Sequence, residues 1–125
     1  MKAIVLGGTA GIGKSIADNL ENICTQVQRL GSKDLDTRSI KNINKFCKMN
    51  KRPDILVLNT GGPPDLKFSK IDNETWIENF NKLFLSFANL IKQIEVKNGG
   101  YIFLISSYII KQPSDELIIS SSIRA

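Results

Sequence analysis

The patch formed by Gly7, Gly8, Gly11 and Gly13 constrains this chain more than any other feature. It follows the apolar run Lys2 to Leu6 and leads into a helical pattern from Lys14 to Glu21. A buried strand, a glycine turn and a helix, in that order, form the phosphate-holding corner of open α/β sheets. Amide N–H groups at the helix start face an anion, and the helix dipole favours negative charge there. Glycine permits both a positive φ and the close approach of backbone to phosphate. Two motifs overlap on the patch. Gly7-x-x-x-Gly11-x-Gly13 is a variant of the dinucleotide-binding fingerprint. Gly8-x-x-x-x-Gly13-Lys14-Ser15 matches the triphosphate P-loop.

The rest of the composition narrows the chemistry. Histidine is absent from all 125 residues. That removes His-based triads, His metal ligands and His general bases together. The formal charge is +5. The lysines are spread along the chain, so a solvated surface accounts for them better than a nucleic-acid interface. Cys24 and Cys47 have no metal-type spacing and read as small buried hydrophobes of a reduced, cytoplasmic protein. The N-terminal apolar run is too short for a signal peptide or a membrane span.

Periodicity then orders the chain as one domain over residues 1–125. The first helix carries Ile12, Ile16, Ala17, Leu20 and Ile23 at helical spacing. A second strand runs from Thr25 to Leu30. Gly31-Ser32-Lys33 leads straight into Asp34-Leu35-Asp36, which reads as a stub of third strand. Thr37 is placed to cap a helix reaching about Met49, with Ile40, Ile43, Phe46 and Cys47 inward. Ile55 to Leu58 is apolar throughout, as a strand covered on both faces should be. The sharp Asn59-Thr60-Gly61-Gly62-Pro63-Pro64 break follows, at the strand end where ligands of such sheets bind. Asp72 or Asn73 caps the longest helix, whose stripe is Trp76, Phe80, Phe84, Phe87, Ile91 and Ile94. Asn98-Gly99-Gly100 stops it. Tyr101 to Ile105 is a fifth strand ending at Ser106-Ser107, and Ser114 to Ala125 begins another helix. This alternation predicts an α/β fold: a Rossmann-like, doubly wound parallel sheet of order 3-2-1-4-5, truncated after the fifth strand. Both sheet edges are expected to be under-protected.

The two phosphate motifs are separated by what else they require. A P-loop enzyme needs an acidic residue ending a neighbouring strand to help hold Mg²⁺. Here those strands end in Asn59 and Ser106, and Asp54 lies at the wrong end of its strand. The dinucleotide motif, by contrast, has companions in order along the chain. Gly7-Gly8-Thr9-Ala10-Gly11-Ile12-Gly13, then Asp34-Leu35, then Leu58-Asn59-Thr60-Gly61, then Ser106-Ser107, together resemble the short-chain dehydrogenases/reductases. Asn59-Thr60-Gly61-Gly62-Pro63-Pro64, Ser107-x-x-x-Lys111-Gln112-Pro113 and Ser120-x-x-x-Arg124 are similar to a narrower group, the 3-oxoacyl-[acyl-carrier-protein] reductase-like proteins. The resemblance covers the whole chain but about the first half of a typical family member, which marks it as a fragment.

The resemblance implies an NAD(P)-dependent oxidoreductase acting on a small carbonyl substrate such as a 3-oxoacyl thioester. It places the pyrophosphate at Gly7, Gly8, Thr9, Gly11, Ile12 and Gly13, the adenine at Asp34 and Leu35, and further cofactor contacts at Asn59, Thr60 and Gly61. The family's hydride chemistry uses Asn, Ser, Tyr and Lys. Only Ser107 is kept. Leu83 stands at the Asn position, Ser120 at the Tyr position and Arg124 at the Lys position. A Ser hydroxyl is a far weaker acid than a phenol, and Arg does not deprotonate at working pH. Lys111, close to Ser107, is the candidate replacement donor. A nucleotide-binding module without turnover is the alternative reading, and a P-loop phosphotransferase the next. The end of the second strand offers Arg29 and Lys33 and no acid, which favours NADP, with NAD possible. For a full-length version the resemblance implies a homo-oligomer through the Trp76 helix.

Overall fold

The computed structural model describes residues 1–125. Strand β1 spans Lys2–Leu6 and is followed by helix α1, Gly11–Leu20. Strand β2 is Gln26–Leu30, helix α2 is Ile40–Met49 and strand β3 is Ile55–Leu58. Helix α3, Asn73–Phe80, passes through a single π turn at Asn81–Leu85 into helix α4, Ser86–Ile94. Strand β4 is Tyr101–Leu104, and helix α5, Ile118–Arg124, closes the chain. No helix is long and apolar enough to cross a membrane.

All four strands pair in parallel, in the order β2-β1-β3-β4. That is the expected Rossmann-like order without its third strand. Residues 34–36 are not a strand, because a local turn uses their hydrogen bonds. The Gly31 carbonyl accepts from the N–H groups of Asp34 and Leu35, both at 3.0 Å. The Asp34 carboxylate accepts from the Gly31 N–H at 2.7 Å. With the Asp34 and Leu35 N–H groups spent on this turn, the segment does not extend a strand ladder.

Period-2 alternation divides the core between the two sheet faces. Ile4, Leu6, Leu56 and Leu58 face α2 and α4, where they meet Ile43, Cys47, Phe87, Leu90 and Ile94. Ala3, Val5, Ile55 and Val57 face α1 and meet Ala17 and Cys24. Both cysteines are buried and free, as their apolar surroundings predict. Of the predicted α1 stripe, Ala17 is buried and Ile16 and Leu20 are partly so, but Ile12 and Ile23 are exposed. Ile12 sits in the helix's first turn, and Ile23 lies past its last residue, Leu20.

The cap of helix α2 lies two residues later than expected. Ser39, not Thr37, accepts the Asn42 N–H at 3.3 Å. Thr37 is instead buried under the sheet end. Asp72 caps α3 by accepting from the Thr75 N–H at 2.8 Å, so that expectation holds. The long aromatic stripe is split. Phe87 and Ile94 join the core together with Leu83 and Leu90, whereas Phe80, Phe84 and Ile91 face outward. A π turn at Asn81–Leu85 interrupts the 3.6-residue phase between Phe80 and Phe87. The Phe80 and Phe84 rings stack on the outer face, with centroids 5.2 Å apart.

The two ends of the sheet differ in how they are closed. At the amino ends of the strands, Asp54 ties three segments together. Its carboxylate accepts from the Lys2 N–H at 2.7 Å and from the Lys97 ammonium at 3.0 Å. Its backbone donates to the Lys2 carbonyl and accepts from the Tyr101 N–H, both at 2.9 Å. At the carboxyl ends the chain opens into a cleft. β4 forms an outer edge, and all four of its residues are exposed.

Candidate nucleotide cleft

A cleft of about 870 Å³ runs along the carboxyl ends of β1, β2 and β3. Its first wall is the glycine turn. Gly7 has φ +66° and Gly11 has φ +53°, the left-handed region that glycine enters without strain. A Cβ on Gly7 would lie 2.6 Å from Asn59 Nδ2 and 2.7 Å from the Asn59 carbonyl oxygen. A Cβ on Gly13 would lie 2.7 Å from the same Nδ2 and would overlap the Gly7 carbonyl. These two glycines therefore let Asn59 dock between the turn and α1. At Gly11, by contrast, a Cβ would meet nothing. The first turn of α1 is open to the cleft there.

The start of α1 has no side-chain cap and no acidic residue in its first turn. Its backbone ladder begins with the Lys14 N–H donating to the Ala10 carbonyl at 3.0 Å. The N–H groups before Lys14 are the unsatisfied donors that every helix start carries. Lys14 itself turns away and pairs with Asp18 at 2.6 Å. A P-loop lysine would have to reach phosphate, so this geometry counts against the P-loop motif.

The second wall comes from the β2–α2 segment, and Gly31, Ser32, Leu35, Asp36, Thr37 and Arg38 line it. Asp34 holds the turn behind this wall, and Leu35 is buried in the core. Arg29 lines no part of the cleft. It lies against α1, paired with Asp18 at 2.5 Å and Glu21 at 2.6 Å, and these carboxylates raise its pKa. The expected role of Arg29 toward a 2′-phosphate is therefore corrected: two acids on the neighbouring helix claim its charge. Lys33 is exposed on the turn.

The third wall was missed by sequence reasoning. Asn59, Thr60 and Gly61 line the cleft as expected, but Thr75, Glu78, Asn79 and Lys82 of the long helix face them. Arg38 bridges the second and third walls, pairing with Asp36 and with Glu78 at 3.0 Å each. The Thr60 hydroxyl oxygen is buried and has no hydrogen-bond partner. Lys82 is half-buried, and its sole polar contact is the Gly62 carbonyl at 3.4 Å. Burial first, then Arg38 and, against the pull of Glu78, Arg124 hold its ammonium below the usual lysine range.

The remaining candidate residues lie elsewhere. Ser107 caps a short 3₁₀ turn at 108–110, where its hydroxyl accepts from the Ile109 N–H at 3.4 Å. Lys111 follows that turn, is exposed, and lines neither the cleft nor the groove beside it. Ser120 is buried on α5. Arg124 lines an adjoining groove of about 320 Å³ with Phe84, Phe87, Ile105 and Ser106, and burial lowers its pKa. Thr60 lines both cavities, so the groove and the cleft meet at this residue. The structure thus brings Arg124 and Thr60 to one junction, and leaves Ser107 and Lys111 outside the two cavities.

A parallel sheet of this order, with a glycine turn at its first carboxyl end and an open cleft beside it, defines a Rossmann-like fold. The fold is similar to that of solved short-chain dehydrogenases and reductases. A small-chain dehydrogenase in complex with NADPH superposes with TM-score 0.84 at 23% identity, over 99% of this chain and 58% of that one. A carbonyl reductase from Pseudomonas aeruginosa in complex with NADP gives TM-score 0.79 at 18% identity, over 98% and 70%. An NADPH-bound short-chain oxidoreductase from the same organism, described as containing an atypical catalytic center, gives 0.77 at 18% identity, over 98% and 60%. The chain thus spans between 58% and 70% of the length of these three structures. No protein-family model matches the sequence, and no curated protein matches it.

Proposed function

We propose that this chain binds NADP(H) in the cleft and forms the cofactor half of a short-chain-type carbonyl reductase. One observation carries the reading: an uncapped, glycine-lined helix start opens onto a cleft of about 870 Å³ that is also lined by Thr60, whose buried hydroxyl has no hydrogen-bond partner. A buried hydroxyl without a partner costs free energy unless a ligand supplies one. The residues present fit a dinucleotide. The N–H groups at the start of α1, with Gly11 open beside them, would hold phosphate. Leu35 and the 31–34 turn would border the base, and Thr60 and Gly61 would bond the other end.

The bound cofactor would supply hydride to a carbonyl. The chain's own contribution is orientation and charge. Arg124 keeps its proton at any working pH, so beside Thr60 it would steady developing negative charge without donating a proton. Ser120 is buried and cannot act as a phenol would. The 3-oxoacyl thioester stays the proposed substrate class on the strength of the motif resemblance. Support for NADP over NAD comes from the end of β2, where Ser32 and Lys33 stand and no acid follows the strand directly.

Titrating the chain with NADPH and NADH by fluorescence tests the first step. Tighter NADPH binding supports the reading, and tighter NADH binding overturns the cofactor preference. The alternative, a nucleotide-binding module without turnover, is favoured by the position of Ser107 outside both cavities. NADPH oxidation dependent on a 3-oxoacyl thioester separates the two.

A further inference from the structure

The ion pairs of this protein leave one cleft cation without a carboxylate. Lys14 is matched by Asp18, Arg29 by Asp18 and Glu21, Arg38 by Asp36 and Glu78, and Lys97 by Asp54. Lys82 has no such partner, and its contact with the Gly62 carbonyl is long. Nevertheless it sits half-buried in the wall of the cleft, one helical turn beyond Glu78. Placing an unpaired ammonium there is unfavourable unless something in the cleft compensates it.

Backbone geometry accounts for its position. The π turn Asn81–Leu85 begins at the residue before Lys82 and sends Leu83 into the core. Leu83 is the residue that motif spacing aligns with the family's Asn. The side chain that faces the cleft is its neighbour, Lys82, and its ammonium would stand 3.9 Å from a Cβ on Gly61. Across the cleft lies the uncapped start of α1. The two walls therefore present positive potential to the same space, and Thr60 lines that space as well.

We propose that Lys82 is a ligand-holding residue of the nucleotide cleft, and that it binds the phosphate charge from the wall opposite the glycine turn. The proposal rests on the nucleotide reading above but asks only for an anionic phosphate. In the family pattern this wall supplies an amide side chain; here it supplies a cation.

The test compares the unmodified chain with Lys82→Met, Lys82→Gln and Lys82→Arg, each first checked for an unchanged circular dichroism spectrum and Tm. NADPH is titrated by fluorescence and ADP by calorimetry, at low and high salt. Both neutral variants should bind both ligands about tenfold more weakly, with a shallower salt dependence, and Lys82→Arg should recover most of the loss. Two results would overturn the proposal and leave the nucleotide reading intact. One is unchanged affinity and salt dependence in Lys82→Met and Lys82→Gln. The other is an equal loss in Lys82→Arg, which would assign Lys82 to ordering the Gly62 loop. An unmodified chain that binds ADP, through Lys82, but not NADPH would keep this proposal and overturn the dinucleotide reading. Binding of neither ligand would overturn both.

Discussion

At the scale of single residues, Asn59 decides much of what the glycine turn can tolerate. It wedges its amide against the positions where Gly7 and Gly13 would carry a Cβ. Gly7→Ala should therefore disturb two things: a backbone at φ +66° and the seat of Asn59. We expect a loss of about 1–3 kcal/mol in urea unfolding, together with weaker NADPH binding by fluorescence. Asp54 governs the other end of the sheet. The Lys2 N–H and then the Lys97 ammonium hold its carboxyl below the usual aspartate range. A carboxylate whose folded pKa is depressed adds stability above its unfolded pKa, and that stability is lost as pH falls through the folded value. The Tm should accordingly drop below about pH 4, and Asp54→Asn should have a lower Tm at neutral pH with a flatter acid limb.

Among the elements, helix starts were only partly legible. Asp72 was readable because an acidic side chain directly precedes a long apolar pattern. The α2 cap was not, because Thr37 and Ser39 are both good capping residues and only packing buries the first. Ser39→Ala should cost about 1 kcal/mol by chemical denaturation, the usual loss for a hydroxyl N-cap. The strands and the glycine turn were legible because each is specified locally, by an apolar run and by the conformational needs of glycine. Residues 34–36 were misread because three residues carry no period. Only the Asp34 bond to Gly31 shows that they form a turn. Likewise Arg29 looked available in the sequence, and its pairing with Asp18 and Glu21 emerges only when α1 lies beside β2. Lys82 escaped notice because a π turn leaves no mark in a 3.6-residue pattern.

For the molecule as a whole, the sheet is well covered on β1 and β3 and open at β4. Tyr101, Ile102, Phe103 and Leu104 are between 44% and 62% exposed, and the Tyr101 and Phe103 rings stack on one face of that edge. Long apolar edges pair readily with other chains. Phe103→Lys should therefore reduce concentration-dependent association in sedimentation velocity and raise solubility, with the far-UV spectrum unchanged.

The Asp54 tie also sets how the molecule moves. It binds the beginnings of β1, β3 and β4 into a stiff floor. The opposite rim is built from turns and loop backbone around Gly11, Gly31 and Gly61. Opening is therefore expected at that rim rather than at the base. A guest can then enter and leave on the timescale of loop motion without the sheet having to unzip.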